Sequence, residues 1–192
     1  MRVISGFLKS RKIHIPSGTR NIRPTTDKSR ETIFNIITNR FKLEGKTVLD
    51  LFCGSGSFGI ECISRGAEKA YFVDRNTGAV KKNVEELKIT DNSVIVKSGA
   101  VEFLKARKDT DFYMTFADPP YDYKGYTNLV SNAAGYRNIF ILEHSGNYEP
   151  GSGYDEFIIL VKETGVTKFT FFNFANFKND EEENNGNLSG NI

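Results

Sequence analysis

The chain has 192 residues, enough for one well-buried domain and too few for two ordinary ones. Hydrophobic residues make up 39% and charged residues 26% of it, and no stretch reaches the roughly 18 consecutive apolar residues of a membrane span. Two cysteines and two histidines exclude a disulfide framework and an ordinary structural zinc site. With no secretory signal visible, we expect a monomeric cytoplasmic protein that binds no membrane and no metal.

The charge is distributed unevenly along the chain. Residues 1–46 contain 11 Lys and Arg against 3 Asp and Glu, residues 47–176 contain 14 against 17, and residues 177–192 contain 1 against 4. A basic segment on a mildly acidic body is typical of phosphate-backbone contact through one region, although an ordinary solvated face has the same composition. The chain therefore divides into a basic extension (1–46) that we expect to contact nucleic-acid phosphates, a core (47–176) and an acidic tail (177–192) that we expect to be disordered.

The extension is predicted to form a small hairpin followed by a helix. Residues 1–24 contain short apolar runs separated by Gly and charged residues, which predicts the hairpin. After Thr25 and Thr26, possible N-caps, early acidic residues and apolar residues at helical spacing predict a helix over 27–39.

The core alternates short β-branched or aromatic runs with helical patterns. The predicted strands are 47–52, 70–74, 93–96, 112–117 and 138–143, and the predicted helices are 56–65, 78–89, 99–106 and 125–134. This alternation predicts an α/β fold with a parallel sheet covered on both faces. The last two runs, 156–162 and 167–173, are so close together that they must form an antiparallel hairpin.

A glycine-rich loop follows the first predicted strand. Gly54, Gly56 and Gly59 have the spacing G-x-G-x-x-G ahead of a helix, and Asp74 ends the second strand 20 residues after Gly54. Such a loop lets a ligand approach bare backbone and such an acid can accept ribose hydroxyls, so a nicotinamide dinucleotide fits as well as S-adenosylmethionine. Asp50 favours S-adenosylmethionine, because a carboxylate beside the loop repels a pyrophosphate and attracts a sulfonium and an ammonium. On these residues alone, a dinucleotide enzyme or a structural turn remains open.

The tetrad Asp118-Pro119-Pro120-Tyr121 follows the fourth predicted strand, at the edge where open α/β sheets bind ligands. Its two prolines restrict the backbone and so hold neighbouring acceptors at set angles. An exocyclic base amine is a poor nucleophile because its lone pair is delocalised into the ring, and fixed acceptors of its N–H bonds counteract this. We predict that Asp118 and the Pro119 carbonyl hold such an amine while Tyr121 stacks on the flipped base. An Asp-Pro turn leaving a strand is the structural alternative.

These motifs together resemble class I methyltransferases that act on base amines. The runs that narrow the resemblance are Arg2-Val-Ile-Ser-Gly, Arg11-Lys, Arg23-Pro-Thr-Thr-Asp-Lys-Ser-Arg-Glu-Thr-Ile-Phe-Asn and Asp50-Leu-Phe-Cys-Gly-Ser-Gly. They resemble the bacterial RsmD family, guanine-N2 methyltransferases of small-subunit (16S) ribosomal RNA, over residues 2–172. The resemblance implies a Rossmann-like, seven-stranded, mostly parallel sheet with an antiparallel last strand. It also implies S-adenosyl-L-methionine as cofactor and ribosomal RNA, or a small-subunit assembly intermediate, as partner.

The resemblance also implies site residues. The predicted catalytic residues are Asp118, Pro119, Pro120 and Tyr121, and the predicted cofactor-binding residues are Asp50, Phe52, Gly54, Ser55, Gly56, Asp74, Arg75, Ser98, Gly99 and Ala100. The predicted RNA-binding residues are Arg2, Lys9, Arg11, Lys12, Arg23, Thr25, Thr26, Lys28 and Arg30. Gly99 stands where the family usually has a polar residue beside the adenine, which leaves Ser98 or nearby backbone for that role. Glu143, at the end of the fifth strand, is a further candidate for the base pocket.

Three alternatives stay open at this stage. The tetrad also occurs in adenine-N6 DNA methyltransferases, although the chain has no evident separate domain for sequence readout. The protein could also be a non-catalytic RNA-binding assembly factor that has kept the fold. Arg23, Lys28 and Arg30 could pair with Asp27 or Glu31 instead of gripping phosphate.

Overall fold

The structure, a computed structural model, describes residues 1–15, 27–107, 110–146 and 153–176. Its strands are β1 (Thr47–Leu51), β2 (Lys69–Asp74), β3 (Ser93–Lys97), β4 (Met114–Ala117), β5 (Ile139–Ser145), β6 (Ile158–Thr164) and β7 (Thr167–Asn173). Its helices are α1 (Asp27–Arg40), α2 (Ser57–Ser64), α3 (Gly78–Leu87), α4 (Ala100–Ala106) and α5 (Tyr126–Ala134). The predicted RNA contacts Arg23, Thr25 and Thr26 and the acidic tail lie outside the described residues.

The seven strands form one sheet in the order β3-β2-β1-β4-β5-β7-β6. Strands β1 to β5 pair in parallel, and β7 runs antiparallel to both of its neighbours, β5 and β6. The predicted parallel sheet, terminal hairpin and reversed last strand are therefore confirmed. The chain moves outward from β1 in one direction through β2 and β3 and then returns to β4 on the other side of β1. The carboxyl ends of β1 and β4 thus meet at the point where the strand order reverses, which is where open α/β sheets bind ligands.

The central strands β1, β4 and β5 are buried on both faces, as their apolar sequences require, whereas alternate residues of the edge strand β6 are exposed. One core cluster includes side chains of α1, α2 and α3, and the other includes side chains of α4 and α5. Strand β7 shows the alternation directly, since Phe169 and Phe171 belong to the first cluster and Phe172 belongs to the second. None of the helices in the described ranges is long and apolar enough to cross a membrane.

Several helix and strand ends differ from the predicted ones, and two differences have clear backbone causes. Helix α2 begins at Ser57 instead of residue 56, because Gly56 adopts a left-handed conformation with φ of 78°. Helix α3 ends at Leu87 instead of residue 89, because Lys88 adopts the left-handed conformation that terminates many helices. Strand β6 begins two residues later than predicted, after a single 3-10 turn over Asp155–Phe157.

The N-terminal hairpin is docked on α2. A bridge between Arg2 and Lys12 marks its two antiparallel arms. The backbone N–H groups of Ile4 and Ser5 donate to the Glu61 carboxylate at 2.7 and 2.9 Å. Because Glu61 is fully buried, these bonds replace the water that its charge has lost. The hairpin residues Val3, Leu8 and Ile13 join the core cluster formed by α1, α2 and α3.

Candidate active site

The three glycines that follow β1 differ in their surroundings: two allow close packing and one faces open space. A side chain at Gly56 would meet Val80 Cγ2 at 2.6 Å, and one at Gly59 would collide with the Phe72 ring. These two glycines therefore allow α2 to approach β2 and α3. A side chain at Gly54 would meet, among the described residues, nothing nearer than the Phe52 carbonyl oxygen at 4.0 Å, so this side of the backbone faces open space. Gly54 is the glycine at which a ligand can approach.

Asp74, at the end of β2, holds the loop in place. Its carboxylate accepts hydrogen bonds from the N–H groups of Gly54, at 2.9 Å, and Asn76, at 2.8 Å. A carboxylate has about four acceptor positions, so two remain for the hydroxyls of a ribose. The structure thus brings the predicted ribose acceptor against the predicted ligand-facing glycine.

Asp50 is a buried carboxylate beside the same loop. It is 2% exposed, and its Oδ2 accepts a hydrogen bond from the Gly59 N–H at 3.0 Å. Burial raises the pKa of Asp50 to about 8; the Gly59 N–H opposes this increase, and the charges of Asp118 and Asp74 add to it. A cation placed beside Asp50 would offset both the lost water and the repulsion between the acids. The site therefore fits the sulfonium and ammonium of S-adenosylmethionine and does not suit a pyrophosphate.

The Asp118-Pro119-Pro120-Tyr121 tetrad leaves β4 next to the glycine loop. Strands β1 and β4 are in register up to Leu51 and Ala117, so Asp118 emerges beside Phe52. Asp118 is an exposed residue that lines a pocket. Loss of water on the protein side of its carboxyl raises the pKa of Asp118 to about 7. Tyr121 is 49% exposed, which leaves its ring free to meet a base from outside.

The pocket next to Asp118 has aromatic walls. The space in front of these walls, open solvent included, is about 340 Å³, and Arg30, Ser57 and Glu143 are the other polar lining residues. The aromatic lining consists of Phe34, Phe58, Phe116 and Phe169. Phe58 and Phe116 stack with ring centres 4.1 Å apart. Flat rings around a few polar groups suit a planar ligand such as a base.

The remaining predicted cofactor residues surround the ends of β2 and β3. Arg75 Nη2 lies 3.7 Å from Glu102 Oε1, and both side chains are exposed. The Glu102 carboxylate fills the space that a side chain at Gly99 would take. The Ser98 hydroxyl donates to the Gly99 carbonyl at 3.1 Å, and Ala100 begins α4. The Ser55 carbonyl is held by the buried side-chain amide of Asn83 at 2.8 Å.

Sequence reasoning missed two residues at this end of the site. Glu102 has no motif around it, although its position three residues after Gly99 places it on the first turn of α4. The Tyr123 ring meets Phe52 edge to face with ring centres 5.3 Å apart. Burial raises the pKa of Tyr123, and the Glu102 carboxylate adds to that increase. Phe52 itself has a left-handed φ of 56°, a strained conformation for a phenylalanine that is common at functional sites.

Most described residues of the predicted RNA-binding set are exposed. Arg2, Lys9, Arg11 and Lys12 lie on the surface of the hairpin and Lys28 lies on the surface of α1. Phe7, between them on the hairpin, is 69% exposed.

The prediction for Arg30 needs correction. Arg30 is 5% exposed and cannot meet phosphate as a surface residue. Its guanidinium instead donates to the Arg2 carbonyl at 3.3 Å and lies 3.6 Å from Glu61. The guanidinium is drawn inward because Glu61 is a buried acid that attracts cations, as its contact with Arg65 at 2.7 Å also shows.

The cysteines and histidines have structural roles. Burial raises the pKa of Cys53 far above its usual value, which makes the residue a packing group and not a nucleophile. His14 lies 2.7 Å from the Glu86 carboxylate, and His144 is buried against the Thr170 hydroxyl at 2.8 Å. In the described ranges, no group of three or more His, Cys, Asp and Glu is arranged to hold a metal ion.

Known proteins resemble this chain along most of its length. Residues 1–173 match the model of a family described as "Conserved hypothetical protein 95". The chain is 38% identical to the Bacillus subtilis protein named "Putative rRNA methyltransferase YlbH", over 87% of this chain and 95% of the relative. It is 36% identical to "Ribosomal RNA small subunit methyltransferase D" of Escherichia coli, over 63% of this chain and 60% of the relative.

A solved structure also shares the fold. The structure described as "Putative methyltransferase yhhF from Escherichia coli" superposes with a TM-score of 0.75 and 27% identity, over 90% of this chain and 96% of that one. The matched family model covers every element of the sheet and every residue of the glycine loop and tetrad. The chain therefore belongs to this family, the RsmD family of class I methyltransferases that use S-adenosyl-L-methionine.

Proposed function

We propose that this methyltransferase transfers the methyl group to the exocyclic N2 amine of a guanine in small-subunit ribosomal RNA. The observation that carries the proposal is the position of Asp118 in register beside the end of β1, next to the buried Asp50. An amine held by Asp118 lies beside the cationic end of a cofactor held by Asp50. The names of the relatives, which include a small-subunit rRNA methyltransferase, support ribosomal RNA as the substrate.

The cofactor would be held from three sides. Asp50 pairs with its cationic end, the open backbone at Gly54 receives it, and the free acceptor positions of Asp74 bind its ribose. When bound, S-adenosylmethionine supplies a methyl group on a sulfonium, which a nitrogen lone pair can attack directly. The protein therefore needs to orient the amine and exclude water rather than to supply a strong base.

Asp118 and the Pro119 carbonyl orient that amine. Hydrogen bonds from its two N–H groups to these acceptors direct the nitrogen lone pair toward the methyl group. As the nitrogen gains the methyl group it becomes positively charged, and the neighbouring carboxylate stabilises that charge. The excess proton then passes to Asp118, whose pKa of about 7 allows the carboxyl to return the proton to water.

The hairpin is the proposed RNA contact. Its exposed cations Arg2, Lys9, Arg11 and Lys12 can neutralise phosphates, and the exposed ring of Phe7 can stack on an unpaired base. The hairpin is held on α2 by Glu61, so these groups have a fixed position relative to the glycine loop.

The test is methyl transfer to small ribosomal subunits isolated from cells that lack this enzyme. Protein is incubated with labelled S-adenosylmethionine and subunits, and the rRNA nucleosides are analysed by mass spectrometry. We expect N2-methylguanosine with the wild type and with Asp122→Ala, an exposed control acid, and none with Asp118→Ala. No label in rRNA, or label that survives Asp118→Ala, contradicts the proposal.

Two further arms separate the alternatives. Labelled duplex DNA that yields N6-methyladenine would make the protein a DNA methyltransferase. Calorimetry that detects no uptake of S-adenosylmethionine, together with RNA binding, would make it a non-catalytic assembly factor.

A further inference from the structure

Glu143 lies beside Asp118 because of the sheet register. Strands β4 and β5 pair in parallel up to Ala117 and Leu142, so Asp118 and Glu143 are the next two residues in this row. Neighbouring strands are about 4.8 Å apart, and residues in one row point to the same face. The row continues into β7, where Phe169 pairs with Glu143. All three residues line the aromatic pocket.

Glu143 is a buried acid at the end of this row. It is 6% exposed, on a strand whose next residues inward, Phe140, Ile141 and Leu142, are all fully buried. In the pocket, Glu143 adds a second carboxylate acceptor beside the one that Asp118 provides.

Two acceptors side by side match one base edge. Guanine presents two neighbouring groups of donors on its Watson–Crick edge, the N2 amine and the N1–H. Adenine and cytosine each present an amine next to a ring nitrogen that is an acceptor. Their ring nitrogen lone pair would face the Glu143 carboxylate, and that repulsion would exclude them.

We propose that Glu143 selects guanine by accepting a hydrogen bond from its N1–H while Asp118 holds the N2 amine. This inference rests on the proposed function and adds the residue that distinguishes guanine from bases with an unprotonated ring nitrogen. It assigns Glu143 a role in substrate specificity and Asp118 the role in methyl transfer.

The test uses 2-aminopurine, which keeps the N2 amine of guanine but has no proton on N1. Once mass spectrometry has located the methylated guanine, an rRNA fragment is synthesised with guanine or with 2-aminopurine at that position. We expect the wild type to prefer guanine by at least ~100-fold in kcat/KM, because a site that binds the N1–H of guanine rejects an analogue that lacks this donor.

The variant Glu143→Gln should reduce that preference to less than ~10-fold. The amide oxygen is a weaker acceptor for guanine N1–H, and the amide NH₂ can donate to N1 of 2-aminopurine. The matched control is Glu85→Gln on the exposed surface of α3, which should leave the preference unchanged. Calorimetry should give the same affinity for S-adenosylmethionine in all three proteins.

Three results would overturn the inference. These are equal methylation of both bases by the wild type, an unchanged preference in a folded Glu143→Gln, and a lost preference in Glu143→Asp, which keeps the charged acceptor. If Glu143→Gln does not fold, the wild-type preference and Glu143→Asp decide the matter. A wild type that methylates no guanine N2 at all contradicts the proposed function instead, so the two failures are distinguishable.

Discussion

The cofactor half and the acceptor half of the site hold their acids in different ways. In the cofactor half, at the ends of β1 and β2, backbone N–H groups of the glycine loop bind Asp50 and Asp74 directly. In the acceptor half, at the ends of β4 and β5, Asp118 and Glu143 line a pocket formed by aromatic rings. The first arrangement depends on local loop geometry. The second depends on strand order and on packing by α1, so changes in the two halves should have separable effects.

The largest effect is expected in the acceptor half, from Asp118→Asn. The amide keeps the size of the carboxyl but loses the negative charge that stabilises the developing positive charge on nitrogen. We expect kcat to fall about 1000-fold, which is the size of loss seen when a group that stabilises charge in the transition state is removed. Single-turnover kinetics measures this fall. The Kd of S-adenosylmethionine should change less than about threefold, and a larger change would mean that the two halves are not separable.

The second effect is in the cofactor half, from Asp50→Asn. Loss of the buried charge beside the cofactor's cation should weaken S-adenosylmethionine binding about 100-fold, measured by calorimetry. The Gly59 N–H can still donate to the amide oxygen, so the loop should keep its shape. A variant that binds the cofactor as tightly as the wild type would remove Asp50 from the site.

The raised pKa of Asp50 predicts that the thermal stability of the protein without cofactor depends on pH. The Asp50 carboxyl ionises near pH 4 in the unfolded chain and near pH 8 in the folded one, so unfolding releases a proton between these values. Rising pH therefore favours the unfolded state in this window, and the Tm of the wild type should fall from pH 5 to pH 8. Asp50→Asn should show a smaller fall, and saturating S-adenosylmethionine should restore the wild-type Tm at pH 8.

Much of this arrangement follows from local sequence, and part of it does not. The glycine spacing, Asp74 and the tetrad each lie directly after an apolar run, so both their positions and their edge of the sheet are predictable. The position of Asp118 beside Glu143 is not predictable, because it depends on which strands become neighbours across 24 residues of intervening chain. Glu61 and Arg30 have helical surface patterns, and only the docked hairpin explains their burial.

Substitutions at Gly59 and Gly54 should have a smaller effect and should separate the packing role of one glycine from the ligand-binding role of the other. Gly59→Ala should lower the free energy of unfolding by about 2 kcal/mol, because the new methyl group collides with the Phe72 ring. Gly54→Ala meets open space, so its cost should be about 1 kcal/mol from its left-handed φ of 52°. Urea unfolding of both variants measures these losses. Calorimetry should show weakened cofactor binding for Gly54→Ala, and an equal pair of unfolding losses would contradict the division of roles.

The smallest effect should come from the hairpin. Lys9→Gln with Arg11→Gln removes two exposed cations, so the slope of log affinity against log salt should fall by about 1.5 to 2. Affinity for rRNA should fall by about tenfold at low salt while the Kd of S-adenosylmethionine stays the same. RNA binding over a salt series measures this. The control is Lys81→Gln with Lys82→Gln, which removes two exposed cations from α3 and should leave the slope unchanged.

Helix α2 connects the two ends of this system in a fixed span. The glycine loop precedes its first residue, and Glu61 and Ser64 near its last turn hold the hairpin. Eight helical residues at 1.5 Å each measure about 12 Å. If the hairpin holds the RNA, as proposed, this helix fixes the separation between the RNA contact and the glycine loop. The shape of the RNA would then contribute to the choice of target site together with the identity of the base.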